Sequence, residues 1–440
     1  MEVFARATCV VISISGSTIM KILVANRNYF VTGGPEKYMF SLMENMPQHQ
    51  FVPFSVDFEK NRETPFRKYF VSPPAGSGSV YFKEYKMSLV QKVKYAFSSI
   101  YHLEARKNME RLIVAERPDV AFFLNAVYFS DSIIDACRAH NVPIVWRMSD
   151  FHKVCSNYLL YRDGQVCEDC LHHGLGSALR NRCGGYQRSL GAAAIKVAGM
   201  WLSRVRKVYD QVDYFVTPSA FTREKMIQGG FSPEKVVHIP TMALVPEEQP
   251  EPLPGAPEIL FVGRLSHEKG VATLLEAFAL VKNADARLSI IGDDSTAYAQ
   301  QLKAGIPEGL RGRITFLGFQ SQEQVRESLK RAYCLVVPSV WYENQPNTVL
   351  EGMAHARPVV VSDLGSMKEL IANGETGYRF ESGNGAALAE RLDAIIQSPQ
   401  MAHDMGLKAR ESVLRYHSMD NHLRSLEGLF ERCVQGKAAG

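Results

Sequence analysis

Two cations and two carboxylates in the C-terminal half of this chain stand where they could grip a phosphorylated ligand. Arg264 and Lys269 follow the apolar run Ile259-Leu-Phe-Val-Gly263, which predicts a strand ending in a turn. In open α/β sheets ligands bind beyond the carboxyl ends of strands, so both cations should face that edge, where they suit a diphosphate. Their other reading is a surface pair with Glu268 or Glu276. Farther on, Cys334-Leu-Val-Val-Pro-Ser339 predicts a strand that runs into Val-Trp-Tyr-Glu343-Asn344-Gln345-Pro346-Asn347-Thr348-Val-Leu-Glu351. Pro346 biases Gln345 away from helical geometry and is itself welcome in a first helical turn, so a helix should begin at Pro346 or Asn347. The free N–H groups of Asn347 and Thr348 then form an anion site reinforced by the helix dipole. Glu343 becomes a loop residue facing that helix end and Glu351 falls in its second turn. Both carboxylates can accept hydrogen bonds from sugar and ribose hydroxyls.

The N-terminal half offers a second set. Gly33 and Gly34 follow the predicted strand Lys21–Ala25, where missing side chains let backbone N–H groups approach a ligand. Past the predicted strand Pro143–Arg147, Asp150 and His152 place a carboxylate beside an imidazole. Directly afterwards come Cys155, Cys167, Cys170 and Cys183, with a Cys-x2-Cys knuckle at the centre. Four thiolates in a polar insertion at about residues 152–185 could hold a tetrahedral, structural zinc, with His172 or His173 able to replace one cysteine. Buried free thiols or a disulfide are the other readings. Cys9, Cys137, Cys334 and Cys433 are isolated. No Asp-x-Asp motif calls for a divalent ion in catalysis, so no catalytic cofactor is expected.

These groups need elements to position them, and the chain alternates β-rich and helical runs from end to end, as parallel sheets wrapped by helices do. Further strands are expected at Phe51–Val56, Asp119–Leu124, Asp213–Thr217, Ala286–Ile291, Ile314–Phe316 and Pro358–Val361. A length of 440 residues fits two such domains and hence a cleft. Residues 1–19 read as a disordered leader and 20–244 as a first Rossmann-like domain. The proline-rich stretch 245–257 is a linker. Residues 258–418 are a second Rossmann-like domain, and 419–440 a C-terminal helix crossing back to the first.

With 46% hydrophobic and 22% charged residues the composition is that of a globular protein, and no apolar run reaches the ~18–20 residues of a spanning helix. A net charge of +4 does not imply nucleic acid. Between Lys83 and Arg117, however, the basic residues Lys83, Lys86, Lys92, Lys94, Arg106, Lys107 and Arg111 are interleaved with aromatics. That mixture suits peripheral contact with an anionic membrane or a lipid-phosphate acceptor. A solvated helix face whose aromatics are core is the equal alternative.

The Gly33-Gly34-Pro35-Glu36 turn, the Gly263-Arg264 to Lys269-Gly270 turn and the Glu343-x7-Glu351 segment together resemble the retaining glycosyltransferases of family 4. The resemblance covers nearly the whole chain from Met20 and is densest between Ile259 and Phe380. It implies the GT-B fold, two facing Rossmann-like doubly wound α/β domains with a cleft between them. It also implies transfer of a sugar from a nucleotide-diphosphate sugar to a glycan or lipid-linked acceptor, in surface-polysaccharide or glycolipid assembly at the cytoplasmic face of the membrane. By the same resemblance Arg264 and Lys269 hold the diphosphate and Glu351 the ribose. Glu343 contacts the transferred sugar in a pocket lined by Asn344 and Gln345, and the base lies near Leu317, Gly318 and Phe319. Gly33 and Gly34 approach the donor phosphates or the acceptor. Ser149 stands where similar enzymes carry an acceptor-side histidine, which leaves Asp150 as the first choice for the acceptor-side catalytic group, with His152, three positions late, either a second such group or structural. Two other classes fit less: an epimerase or phosphorylase of the same shape, and a non-catalytic zinc-dependent binding protein.

Overall fold

Short runs of β-branched and aliphatic residues, buried on both faces, make the sheets. The computed structural model describes residues 19–73, 88–184 and 189–438. Strands β1 (Lys21–Ala25), β2 (Gln50–Phe54), β3 (Val120–Phe123) and β4 (Ile144–Arg147) come first. A small antiparallel hairpin, β5 (Tyr161–Arg162) and β6 (Gln165–Val166), precedes β7 (Tyr214–Thr217) and β8 (Val236–His238). Six of these form a sheet in the order β2-β1-β3-β4-β7-β8. The remaining strands are β9 (Glu258–Val262), β10 (Arg287–Ile291), β11 (Ile314–Gly318), β12 (Cys334–Val337), β13 (Val359–Ser362) and β14 (Gly377–Phe380). They form a second sheet in the order β11-β10-β9-β12-β13-β14, parallel throughout. Every residue of β3, β4, β12 and β13 is buried, as a parallel sheet covered on both faces requires.

The second sheet is packed on both sides by alternate residues of the same strands. Ile259 and Phe261 of β9 join Leu274 and Phe278 of helix Val271–Leu280 and Leu388 and Leu392 of helix Gly385–Gln397. Leu260, between them, faces the opposite core with Leu335, Val349, Met353 and Val413. Period-two alternation of this kind fixes the register, since a one-residue slip would exchange the two cores. Helix Asn347–Ala354 lies very close to β12: a Cβ on Gly352 would stand 2.6 Å from Leu335 Cδ2 and 3.2 Å from Val359 Cγ2, so any larger residue would make those side chains shift.

Strands β8 and β14 were not expected from the sequence. Each is the last strand of its sheet and only partly buried, so it lacks the continuous apolar run that marks the inner strands. The proline-rich run 245–257 forms neither helix nor strand before β9. Among the described residues no helix is long and apolar enough to cross a membrane. Residues 1–18, and with them Cys9 and most of the proposed leader, lie outside the described residues, as do Lys83 and Lys86.

By contacts the chain divides into two compact units. One comprises the chain up to Trp146 with Asp210–Asp213 and the chain from Leu423 onward. Within it the C-terminal helix sets Phe430 against Phe122, ring centroids 5.2 Å apart, and Glu427 Oε1 2.9 Å from His49 Nε2. The other unit comprises Arg147–Tyr209 and Tyr214–His422 and contains the whole second sheet.

Candidate functional site

The order of the second sheet reverses between β9 and β12, and a ligand crevice in a doubly wound sheet opens at such a switch point, beyond the carboxyl ends of the strands. Both sequence-selected segments leave from there. After β9 the chain turns through Gly263-Arg264, makes a 3-10 turn at His267–Lys269 and enters the next helix through Gly270 at φ +70°. A Cβ on Gly270 would lie 1.8 Å from Pro338 O, so glycine is needed both for its backbone angle and for its contact with the end of β12. Val340 N donates to Glu268 O at 2.9 Å across the same junction.

This docking brings Lys269 to Glu343. Lys269 Nζ lies 2.6 Å from Glu343 Oε1, and the same oxygen accepts from Ser339 Oγ at 2.7 Å and Trp341 Nε1 at 2.9 Å. Glu343 Oε2 takes no donor among the described residues. Ser366 Oγ holds the Glu343 carbonyl at 2.7 Å. Burial alone would push the Glu343 carboxyl up, but the charge of Lys269 and the three hydrogen bonds outweigh it and hold the group below its ordinary value. Lys269 Nζ also stands 5.2 Å from the Trp341 ring centroid. Arg264 is 62% exposed and, among the described residues, pairs with Glu268 alone, at 3.3 Å. An exposed pair of that kind is weak and readily exchanged for a stronger anion.

The helix expected after Pro346 begins at Asn347, with Pro346 as its N-cap in an extended conformation and no side chain capping it. Among the described residues the N–H groups of Asn347 and Thr348 have no acceptor. Val349 N is turned back to Pro346 O at 3.1 Å. Glu351 is half-buried in the second turn. Gly318, at φ +68°, ends β11, and Phe319 beyond it is 84% exposed. Asn344 and Gln345 are tied to the protein: Asn344 Nδ2 donates to Ser149 O and its Oδ1 accepts from Thr222 Oγ1 at 3.3 Å, while Gln345 Oε1 accepts from Thr241 N at 2.7 Å.

Asp150 and His152 meet, His152 Nδ1 bonding Asp150 Oδ1 and His152 N donating to the same oxygen at 2.9 Å. Burial opposes ionisation of Asp150, but His152 and Lys153 together hold its carboxyl below the usual value. Gly33 and Gly34 belong to the other unit, at the start of helix Gly34–Asn45. A Cβ on Gly33 would meet nothing closer than 3.9 Å, so packing does not demand glycine there. Beside it Glu36, the last residue of the Gly33-Gly34-Pro35-Glu36 turn, is buried and accepts from Asn26, Asn28 and Thr32.

The four clustered cysteines are free thiols. Burial pushes Cys155, Cys170 and Cys183 up, Cys170 to about 12, and each also senses charge on others of the four. Cys170 and Cys183 pack around the same apolar cluster as Leu175, Ala178 and Val197. Cys155 Sγ donates to Asn157 Oδ1 at 2.8 Å. The set does not enclose a metal as placed: among the described residues no three His, Cys, Asp or Glu side chains stand in metal-holding geometry.

Residues 247–412 match the family of Glycosyl transferases group 1. An uncharacterized glycosyltransferase of Methanocaldococcus jannaschii is 30% identical over 179 residues, and the alpha-D-kanosaminyltransferase of Streptomyces kanamyceticus 28% over 176; each match covers 40% of this chain and 45% of the relative. The chain thus spans about half the length of the curated relatives it matches. Among solved structures, sucrose-phosphate synthase of Thermosynechococcus elongatus superposes with a TM-score of 0.66 at 16% identity, covering 96% of this chain and 100% of that one. Anabaena HepE in complex with UDP and glucose does so with a TM-score of 0.62 at 14% identity, covering 94% and 99%. The fold is GT-B, with two Rossmann-like parallel sheets of six strands each.

Proposed function

We propose that the chain uses this domain to transfer a sugar from a nucleotide-diphosphate sugar to an acceptor hydroxyl, with retention at the anomeric carbon. The observation that carries the reading is the convergence at the β9/β12 switch point of Lys269 on Glu343 Oε1, next to a helix whose first N–H groups have no acceptor among the described residues. Lys269 and Arg264 neutralise the diphosphate, the Asn347 and Thr348 amides bind one of its phosphates, and Glu351 takes the ribose hydroxyls. Glu343 Oε2 accepts from the sugar. Gly318 and Phe319 flank the base, Phe319 offering an aromatic face. Asn344 and Gln345 shape the sugar pocket by fixing its loop. Asp150 orients the acceptor.

In this reaction the acceptor oxygen forms a bond to the anomeric carbon on the face that the leaving group departs from. The bond from that carbon to the β-phosphate oxygen breaks, its electron pair leaves with the nucleoside diphosphate, and the acceptor proton passes to that phosphate oxygen. Negative charge grows on the β-phosphate in the transition state, so donors already aimed at it are the main source of acceleration. For the acceptor we propose a glycan or lipid-linked saccharide at the cytoplasmic membrane face. Exposed Val90, Val93 and Phe97 beside Lys92 and Lys94 support contact with an anionic surface.

For the four-cysteine insertion we propose a structural zinc, supported by the Cys-x2-Cys spacing and by the shared electrostatic neighbourhood of the thiols. Its binding requires them to draw together, with Cys155 releasing Asn157.

A thermal-shift panel of nucleotide sugars tests the reading, since a ligand at about 100 times its dissociation constant adds roughly 2.7 kcal/mol of apparent stability. The reading expects a response to one base and a new glycosidic bond in the product. No response to any base, or a product with no new linkage, contradicts it.

A further inference from the structure

The cysteine-rich insertion reaches the loop that carries Glu343. Glu168, between Cys167 and Cys170, accepts from Tyr342 Oη at 2.7 Å through Oε1, and the same oxygen lies 2.7 Å from Lys225 Nζ. Its Oε2 lies 3.1 Å from His172 Nε2. Lys225 is buried and sits 5.4 Å from the Phe221 ring and 5.7 Å from the Tyr342 ring. Those two rings pack at 4.6 Å, and Gly365, at φ +57°, backs both of them: a Cβ there would come within 3.1 Å of Tyr342 Cδ1 and 3.5 Å of Phe221 Cε1. The half-buried Tyr342 ring is therefore packed against Phe221 and the backbone at Gly365, and its hydroxyl is held by a charged acceptor from a segment far away in sequence.

Tyr342 lies between Trp341 and Glu343, and Trp341 Nε1 is one of the three donors on Glu343 Oε1. A hinge at Tyr342 would swing both neighbours, so anchoring its hydroxyl fixes where the indole N–H and the carboxylate meet. We propose that Glu168 is a positioning residue for sugar transfer, acting through the Tyr342 hydroxyl to hold Glu343 against Lys269. The inference rests on the function proposed above for Glu343, although the mechanical link from Glu168 to Trp341 stands apart from it.

Tyr342→Phe removes the hydrogen bond and keeps the ring. Glu168→Ala removes the acceptor but leaves Lys225 buried without it, so Tyr342→Phe also serves as the arm that keeps the fold. The link can be read without activity from the indole N–H resonances of the full chain, which has three tryptophans. Trp341→Phe assigns one of them. Tyr342→Phe should move the Trp341 resonance by more than its linewidth while leaving Trp146 and Trp201 in place, and Glu168→Ala should move it alike. The double variant should add nothing further. In transfer assays Tyr342→Phe should lower kcat by about 10–10²-fold with donor affinity held, as misplacement of a reacting group does. An unmoved Trp341 resonance, or a loss confined to thermal stability with kcat intact, overturns the proposal. Wild-type protein that transfers no sugar would defeat the functional reading instead, whatever the resonances show.

Discussion

Lys269 Nζ and Glu343 Oε1 are 2.6 Å apart, although 74 positions separate them in sequence, and each residue follows one of the two strands that flank the sheet's switch point. The pair is well shielded, with side chains 19% and 8% exposed. It explains how an acidic group can remain ionised in a buried loop and how a lysine can be held at a chosen spot. An ammonium has three donors, so contact with Glu343 leaves others for a phosphate oxygen. The carboxylate likewise keeps Oε2 for a sugar hydroxyl. One ion pair thus ties the group that meets the leaving phosphate to the group that meets the sugar.

Lys269→Ala should lower turnover by about 10²–10³-fold, the usual cost of losing one preorganised donor to a developing anion. The same variant removes the main force holding the Glu343 carboxyl down, so that group should titrate higher. Single-turnover rates across pH check both effects. Turnover close to wild type would remove Lys269 from the mechanism.

Asn347→Pro tests the helix end by deleting one amide. Proline is tolerated at a first helical position, and Pro346 before it already has extended geometry. Loss of one charge-assisted hydrogen bond, about 1.5–3 kcal/mol, should weaken donor binding by about 10–10²-fold while the melting temperature holds. Calorimetric titration gives the number; unchanged affinity would mean that this amide binds no phosphate.

Glu369 supplies a pH prediction. Burial pushes its carboxyl up to about 7, against the N–H groups of Ala220 and Phe221 that it accepts. An acid whose value is raised on folding stabilises fully below its unfolded value and loses that contribution as pH climbs through the folded one. Between its ordinary 4.5 and about 7 the wild type should therefore lose stability relative to Glu369→Gln. Urea midpoints of the two proteins, measured across that range, should diverge; parallel curves would contradict the assignment.

The zinc proposal is checked by metal analysis of the full chain as purified. About one zinc per chain is expected, as a closed site of four sulfur ligands requires, falling when Cys167 and Cys170 are both replaced by serine. Because no divalent ion is given a catalytic part, transfer should persist in chelator under conditions that leave a structural zinc bound. Absence of zinc refutes the first statement and strict magnesium dependence the second.

Much of this was legible in the sequence because it follows from local rules. The Val- and Leu-rich run Cys334–Val337 announces a buried strand, and Pro346 announces a helix start at Pro346 or Asn347, where the helix in fact begins at Asn347. What could not be read were the partners. Trp341 and Ser339 look like ordinary loop residues until the turn at Lys269 docks on Pro338 and gathers them on one oxygen. Asn344 and Gln345 were legible as neighbours of Glu343, but their ties to Ser149 and Thr241 depend on segments about 100 or more positions away. Nothing in the sequence singles out Glu168, whose partners Tyr342 and Lys225 come from distant segments. Zinc spacing was plain in the sequence, yet spacing says nothing of where the thiols point.

A crystal structure with a bound nucleoside diphosphate tests the central claim most directly. The account predicts phosphate oxygens within hydrogen-bonding distance of Lys269 Nζ and of the Asn347 or Thr348 amide, with the ribose on Glu351. A nucleotide seated elsewhere, leaving Lys269 engaged by Glu343 alone, would contradict it.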